Sequence, residues 1–145
     1  MKKVHFNYAN RKLTLTGKEN IKQHIQHLFT KEKKKLAEIR YVFCSDDYLL
    51  QINKDFLQHD YYTDIITFDL SEDETTIAEV YISVDRVKDN AVTQNTTFKH
   101  EMLRVLFHGA LHLCGYKDKT KDQVTEMRKK EEQFIQSFIK KYNQR

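Results

Sequence analysis

Two histidines four residues apart are the strongest indication of chemistry in this sequence. His108 and His112 lie within an otherwise apolar stretch, and helical geometry projects both rings from one face of a helix, one turn apart. Buried imidazoles need polar partners, and one metal ion supplies a partner to both rings. The pair therefore predicts a metal site near the end of a buried central helix.

A third ligand is predicted just after this helix. Gly115 is a residue type that ends helices, and Asp118 follows it by three positions. The run His108-x3-His112-x2-Gly115-x2-Asp118 has the spacing of the metzincin zinc site, with a carboxylate where that site has a third histidine. Two imidazoles and one carboxylate leave a position open for water, as catalytic zinc sites do. We therefore predict one zinc ion per chain, with ferrous iron or a metal-free set of core histidines as alternatives.

Gly109 argues against a peptidase. In H-E-x-x-H peptidases the glutamate beside the first histidine is the general base, and here that position is Gly109. Glu101 precedes His108 by seven positions, about two helical turns along the same face, so it could orient a ring nitrogen or a metal-bound water. A salt-bridged or capping glutamate near the start of the helix is the alternative for Glu101.

The other histidines and both cysteines are predicted to lie outside the site. His24 and His27 fall on the polar side of an amphipathic helix, and three further histidines have no ligand-like neighbours in sequence: His5, His59 and His100. Two cysteines are too few for a disulfide framework, so Cys44 and Cys114 are predicted to be reduced. Cys114 is predicted to pack rather than to bind metal.

Hydrophobic periodicity predicts the elements that must position these residues. Strands are predicted at residues 3–8, 11–15, 38–44, 64–70 and 76–84, with an acidic turn joining the last two into a hairpin. Helices are predicted from residue 16, over 45–57, 85–94 and 97–114, and from 120 to 142. Thr16 with Glu19, and Thr120 with Gln123, are predicted to form capping boxes. This order of strands and helices indicates an α+β fold.

Length and composition favour one compact domain. The 145 residues are 32% charged and 39% hydrophobic, values typical of a folded domain rather than a disordered chain, so residues 1–145 are predicted to form a single domain. No apolar stretch approaches the roughly 20 residues of a membrane-spanning helix, and the start turns polar before a signal-peptide core could form. A cytoplasmic location is therefore expected.

The net charge of +4 conceals three blocks of alternating sign. Residues 1–35 hold 10 Lys and Arg against 2 Asp and Glu, residues 36–116 hold 6 against 14, and residues 117–145 hold 9 against 5. Basic flanks around an acidic centre could attract a polyanion toward a cation-binding site. Solvated helix faces give the same pattern and are the alternative.

The end of the predicted central helix resembles a known family. The signature H-G-x-L-H-L-x-G-Y-D-H of the endoribonuclease YbeY family is similar to the run from Phe107 to Tyr116. Upstream, Asn53 and the run Thr63-Asp64-Ile65-Ile66-Thr67-Phe68 resemble the N-x3-R and T-[DN]-V-L-S-F blocks of that family. The likeness extends over nearly the whole chain.

The resemblance implies a zinc-dependent endoribonuclease specific for single-stranded RNA, acting in maturation of the 3′ end of 16S ribosomal RNA and in ribosome quality control. Its partners would be single-stranded RNA and the small ribosomal subunit. It also implies a zincin-like fold, in which a mixed four-stranded sheet packs with helices. Lys117, Lys119 and Lys121 flank Asp118 and could hold the RNA backbone, with solvated loop lysines as the alternative. Tyr116 could stack on a base.

Three positions depart from the family pattern. The third histidine of the family corresponds to Asp118, the arginine after N-x3 corresponds to Leu57, and a Gly-Asp pair corresponds to Ala78-Glu79. Loss of the arginine removes a cation that could hold a phosphate. Two other functions therefore stay open: a metallopeptidase-like or other small-substrate metal hydrolase, and a non-catalytic ribosome-associated RNA-binding module.

Overall fold

The computed structural model describes residues 2–142, and within them four strands and five helices follow one another in mixed order. The strands are β1 (Val4–Tyr8), β2 (Lys35–Cys44), β3 (Ile65–Asp69) and β4 (Thr75–Ser83). The helices are α1 (Lys18–Lys31), α2 (Asp46–Leu57), α3 (Val84–Thr93), α4 (Phe98–Leu113) and α5 (Lys121–Tyr142). The predicted α+β class is confirmed.

The strands form a mixed sheet in the order β1-β2-β4-β3. β1 pairs in parallel with β2 and β2 in parallel with β4, whereas β3 runs antiparallel to β4. In the acidic turn between β3 and β4, Asp69 Oδ1 accepts a hydrogen bond from Ser71 N at 3.0 Å and Asp73 Oδ1 accepts one from Thr75 N at 2.7 Å. Such short side-chain contacts to the backbone favour turns. The predicted mixed four-stranded sheet and its hairpin are confirmed.

Helix α4 lies at the centre of the packing. Its first turn is capped by Thr97, whose hydroxyl oxygen accepts a hydrogen bond from His100 N at 3.1 Å. The helix contacts α1, α3, α5, β3 and β4, and it buries Met102, Leu103, Val105, Leu106, Phe107, Ala110 and Leu111. Burial of a large apolar side chain contributes about 1.5–3 kcal/mol. A helix held from several sides in this way fixes the positions of His108 and His112 near its C-terminal end.

No strand forms at residues 11–15, contrary to the prediction. After β1 the chain leaves the sheet at Asn10, whose Oδ1 accepts a hydrogen bond from Ser45 N at 2.8 Å. Leu13 is nevertheless buried in the core. The alternation of apolar and polar residues here therefore reflects burial of a coil segment and not strand pairing.

The two predicted capping boxes have different outcomes. The box at Thr16 is wrong, because α1 begins after Gly17, which has a left-handed backbone at φ 73° and makes no side-chain cap. The Thr16 hydroxyl instead accepts a hydrogen bond from Lys99 Nζ at 2.9 Å. The box before α5 is confirmed, because Thr120 Oγ1 accepts from Gln123 N and Gln123 Oε1 accepts from Thr120 N, both at 3.1 Å.

His24 is buried, so its predicted position on a polar surface is wrong. It is 1% exposed and lies between α1 and α5, with Nε2 at 2.9 Å from Ser137 Oγ and 3.2 Å from the Phe134 carbonyl oxygen. Burial disfavours the charged ring and lowers the pKa of His24 to about 4. His27 is exposed, as predicted. The polar partners of His24 belong to α5, and only tertiary packing brings them to α1.

Cys44 and Cys114 are free thiols that belong to different apolar clusters. Burial raises the pKa of each thiol to about 12, so both thiols are protonated at neutral pH. Cys114 packs into the main core just after α4. Within residues 2–142, no helix combines the length and the hydropathy needed to cross a membrane.

Candidate functional site

The three predicted metal ligands come together at the C-terminal end of α4. His108 Nε2 and His112 Nε2 each lie 3.4 Å from Asp118 Oδ2, and one ligand atom from each residue lies within 4.8 Å of the others. Zinc bonds of about 2.0–2.1 Å in a tetrahedron place neighbouring ligand atoms about 3.4 Å apart. The two spacings therefore match edges of a tetrahedral site.

The turn after α4 fixes the ring of His112. Gly115 has φ +104° and ends the helix in a Schellman motif, in which Gly115 N donates to the His112 carbonyl and Tyr116 N donates to the Leu111 carbonyl. This reversal brings the Tyr116 carbonyl oxygen to 2.9 Å from His112 Nδ1. Because a carbonyl oxygen only accepts, Nδ1 carries the proton and Nε2 keeps its lone pair for a metal.

A carboxylate on α5 fixes the ring of His108 in the same way as the Tyr116 carbonyl fixes that of His112. Glu131 is buried, and its Oε2 lies 2.5 Å from His108 Nδ1. Nδ1 therefore donates to the carboxylate, and Nε2 faces Asp118 with its lone pair. The donor set of two oriented imidazoles and one carboxylate fits zinc or another divalent transition metal.

Arg104 connects Glu131 to two further carboxylates, those of Asp64 and Glu101. Its guanidinium lies 3.4 Å from Glu131 Oε1 and 3.7 Å from Asp64 Oδ2, and it forms a bidentate pair with Glu101. Buried charges need partners of this kind. Arg128 also lies 3.8 Å from Glu131 Oε1, so three carboxylates with two guanidinium groups leave an excess of negative charge near His108, which favours a bound cation.

Glu101 does not orient a histidine ring, which corrects the sequence-based prediction. Its carboxylate is fully buried and paired with Arg104, and the position beside His108 Nδ1 is occupied by Glu131. Seven residues along a helix correspond to about 10 Å along its axis. A glutamate side chain does not span that distance, so residence on the same face of α4 does not produce contact.

Gly109 lies where α4 approaches β3 and β4 closely. A Cβ atom at this position would meet Ile65 Cδ1 at 3.0 Å and Val80 Cγ1 at 3.3 Å. A glutamate side chain here would therefore press into an apolar contact with the sheet. The close packing explains why a glutamate, the general base of an H-E-x-x-H peptidase, does not fit at this position. This agrees with the expectation from the sequence that the chain is not a peptidase of that kind.

A cavity of about 540 Å³ opens beside the three candidate ligands. Its walls come from α2, α4 and β3, and from the segments that follow α2 and α4. Carboxylates of Asp64 and Asp69 line it together with Leu57, His59 and Tyr61, and no Lys or Arg is among the described residues of its lining. His59, which the sequence pattern did not place in the site, therefore shares this cavity with the ligands.

The three lysines predicted to hold RNA lie outside the cavity lining. Lys117, Lys119 and Lys121 are exposed on the turn before α5 and on its first residue. Tyr116 is half-buried, because its hydroxyl donates to Glu32 Oε1 at 2.7 Å and its ring packs against the core. Tyr116 does not line the cavity either, and the stacking of a base on its ring stays a prediction.

Comparison with known proteins identifies the family of this chain. The family model described as Endoribonuclease YbeY matches residues 5–139. The chain belongs to the endoribonuclease YbeY family. A relative from Cytophaga hutchinsonii named Endoribonuclease YbeY is 54% identical over 119 residues, which are 81% of this chain and 83% of that protein. One of the same name from Christiangramia forsetii is 41% identical over 139 residues, 95% of this chain and 97% of that protein.

The YbeY resemblance noted in the sequence is thereby confirmed, as is the expectation of a hydrolase, because endoribonucleases are hydrolases. The fold is shared with the solution structure of a protein from Thermotoga maritima. That structure matches with a TM-score of 0.67 and 26% identity, over 99% of this chain and 92% of that chain. The likeness in fold therefore extends over nearly the whole chain.

Two residues of this YbeY site were not predicted from the sequence. Glu131 lies on a different helix from His108. Its sequence gives one indication of a special role: it lies four residues from both Met127 and Ile135, which places an acidic residue on the apolar stripe of α5. His59 lies in a loop between two blocks that match the YbeY pattern. Nothing in its immediate sequence indicates that the loop folds toward α4.

Proposed function

We propose that this chain is a zinc-dependent endoribonuclease that cleaves single-stranded RNA, with His108, His112 and Asp118 as the metal ligands. The observation that carries this proposal is the pair of 3.4 Å spacings between Asp118 Oδ2 and the two Nε2 atoms. Each ring already uses its Nδ1 in a hydrogen bond, so both Nε2 atoms are free to bind a cation. Membership of the endoribonuclease YbeY family supports RNA as the substrate.

The residues around the cavity make phosphate binding depend on the ion. A bound divalent cation supplies Lewis acidity toward a phosphodiester oxygen and activates a water molecule. Asp64, Asp69 and Asp118 line the cavity and repel a phosphate when no cation is present. Glu131 and the Tyr116 carbonyl hold the histidine rings in advance, so little reorganisation is needed during the reaction.

Basic residues outside the cavity support a long polyanionic substrate. Lys117 and Lys119 lie beside Asp118 in sequence. The hydrogen bond from the Tyr116 hydroxyl to Glu32 brings a second basic segment near this turn, because Glu32 immediately precedes the run Lys33–Lys35. Lysines on this surface can contact phosphates of a strand that passes the cavity. We extend the proposal to the role that the family resemblance implies, which is maturation of the 3′ end of 16S ribosomal RNA on the small ribosomal subunit in the cytoplasm.

One observation favours a second candidate, a non-catalytic RNA-binding module. Leu57 lines the cavity at the position where the family pattern has an arginine. A leucine cannot contact a phosphate electrostatically. If that contact is essential for cleavage, the chain binds RNA without cutting it.

The test compares cleavage and metal content in the same preparations. Zinc-loaded protein is incubated with an unstructured RNA, with a duplex of the same sequence and with casein, and we expect cleavage of the unstructured RNA alone. His108→Ala and Asp118→Ala should each lose bound zinc and cleavage, because two remaining ligands hold the ion weakly. His27→Ala, an exposed histidine on α1, is the matched control and should retain both properties.

Each competing function has a distinct outcome in this test. Unchanged zinc content and cleavage in both ligand variants would contradict the assignment of the ligands. RNA binding without cleavage at every zinc concentration would favour the binding module. Cleavage of casein alone would favour a peptidase. Elemental analysis of the wild-type protein, purified without chelators, identifies the metal.

A further inference from the structure

His59 and Tyr61 form a stacked pair of rings in the lining of the cavity that holds the candidate ligands. Their centroids are 5.0 Å apart with an interplanar angle of 20°, and the Tyr61 hydroxyl lies 2.9 Å from His59 Nδ1. Tyr61 is 55% exposed and His59 is also exposed. This aromatic pair therefore offers accessible ring surface inside the site.

Buried Asn53 holds the aromatic pair in place. Its side-chain Nδ2 donates to the Tyr61 main-chain carbonyl at 2.9 Å, and the main-chain carbonyl of Asn53 accepts a hydrogen bond from His59 N at 3.0 Å. Asn53 is 1% exposed, so these hydrogen bonds are shielded from water. A flat ligand that binds the aromatic pair therefore meets a surface that is already ordered, which lowers the entropy cost of binding.

The neighbouring exposed aromatic residues already have partners. Phe56 meets Phe68 edge-on with centroids 6.0 Å apart, and the ring of Tyr62 lies under the Arg86 guanidinium at 5.5 Å. Neither Phe56 nor Tyr62 lines the cavity. Apart from the rings of the candidate ligands His108 and His112, the aromatic pair is therefore the aromatic surface that a ligand in this cavity would contact, within the part of the chain that the structure describes.

The charge of the lining favours a base over a phosphate at this position. Asp64 and Asp69 contribute carboxylates, and Leu57 contributes apolar surface where the family pattern has an arginine. A phosphate beside the aromatic pair would face these groups without a lysine or arginine partner among the described lining residues. An uncharged nucleobase can instead stack on the rings, which is the common mode for unpaired bases.

We propose that the aromatic pair is a base-binding subsite, on which one unpaired nucleobase of the RNA stacks while a neighbouring phosphodiester lies at the metal ligands. This inference rests on the proposed function and names how the substrate is held. A base within a duplex is paired and stacked on both faces, so it reaches such a surface only at the cost of unpairing. The subsite therefore selects single-stranded RNA.

The first measurement is the affinity of zinc-loaded variants for a labelled, unstructured RNA, recorded by stopped-flow anisotropy before cleavage. Tyr61→Ala should raise Kd about 5- to 150-fold, because stacking of one base is lost. Tyr61→Phe keeps the ring and should stay within about twofold of the wild type. Tyr62→Ala is the matched control, since it removes a neighbouring exposed tyrosine whose ring lies outside the cavity.

The second measurement separates stacking from a general structural effect. An abasic nucleotide is moved along the RNA, one position at a time, and Kd is measured for the wild type and for Tyr61→Ala. At the position that stacks, loss of the base should weaken binding to the wild type and leave the already weakened variant unchanged. Additive losses at every position, or equal Kd values for the wild type and Tyr61→Ala, would overturn the subsite.

These outcomes also distinguish the subsite from the proposed function. A wild type that cleaves RNA but shows additive losses retains the endoribonuclease assignment and loses the subsite. A wild type that shows the coupled loss of affinity without any cleavage retains the subsite and loses the endoribonuclease assignment.

Discussion

Among the described residues, Glu131 is the one whose side chain hydrogen-bonds a candidate metal ligand from a second helix. We expect Glu131→Gln to weaken zinc binding about 10- to 100-fold, because an amide is a weaker acceptor than a carboxylate for the Nδ1 proton of His108. Competition with a chromophoric chelator measures the affinity. Glu132→Gln is the matched control, since its side chain is 52% exposed and lies next along α5. Equal zinc affinities in these two variants would contradict the positioning role of Glu131.

The proximity of the three candidate ligands could be predicted because it is a local property. His108, His112 and Asp118 belong to one helix and the turn that follows it, where spacing in sequence determines spacing in space. Glu131 could not be predicted in the same way, because its contact depends on which face of α5 packs on α4. Glu101 shows the opposite error, since it shares a helix face with His108 but lies too far along the axis.

The turn that ends α4 couples backbone conformation to the orientation of His112. Gly115 has φ +104°, which L side chains rarely adopt. Gly115→Ala should lower the free energy of unfolding by about 1–2 kcal/mol. It should also weaken zinc binding, because a shifted turn moves the Tyr116 carbonyl away from His112 Nδ1. Urea denaturation of the metal-free protein and zinc titration measure the two effects.

A second glycine provides the control for this prediction. Gly17 also has a left-handed backbone, at φ 73°, but it lies before α1 and outside the cavity lining. Gly17→Ala should therefore lower stability by a comparable amount and leave zinc affinity unchanged. Equal loss of zinc affinity in both variants would show that the turn acts only through global stability.

Gly109 sets the distance between α4 and the sheet. In Gly109→Ala the new Cβ would meet Ile65 Cδ1 at 3.0 Å. We expect this variant to lose about 1 kcal/mol of stability, because overpacking of about 1–3 kcal/mol exceeds the gain in helix propensity of roughly 1 kcal/mol. Ile65→Val removes the contacting Cδ1 atom, so the same glycine substitution should cost less in that background. Urea denaturation of the wild type, the two single variants and the double variant gives a double-mutant cycle. An equal cost of Gly109→Ala in both backgrounds would contradict this account.

The helices and caps that could be predicted are those whose sequence pattern is compatible with a single local structure. A helix that is apolar on nearly every side, such as α4, is buried in almost any fold. Reciprocal capping by Thr120 and Gln123 depends on neighbouring residues alone. The alternation of apolar and polar residues at 11–15 is different. It indicates that every second side chain is buried, but it does not indicate whether a neighbouring strand is available for pairing. Asn10 binds Ser45 instead, and the chain leaves the sheet.

At the scale of the whole molecule, docking of α5 on α1 makes stability depend on pH through His24. Its pKa is about 4 in the folded chain, below the ordinary value of 6.5 that applies when the chain is unfolded. Between these values the unfolded chain binds a proton that the folded chain does not. Stability is therefore fully present above about pH 6.5 and falls toward pH 4, by on the order of 2–3 kcal/mol.

Urea denaturation between about pH 7.5 and pH 4.5 measures this dependence. His24→Gln removes the titrating ring and keeps a polar side chain beside Ser137, so it should lose this part of the pH dependence. His27→Gln, on the exposed side of the same helix, should keep the wild-type profile. Identical profiles for the wild type and His24→Gln would show that His24 is not the group responsible.

The bond between Glu131 and His108 has a thermodynamic consequence for the last described helix. Because α5 orients one candidate ligand, binding of the ion and docking of α5 are linked equilibria. An ion that binds the docked form alone stabilises that form by about 4 kcal/mol when its concentration is 1,000 times Kd. The ion would thus count as a tertiary contact between α4 and α5.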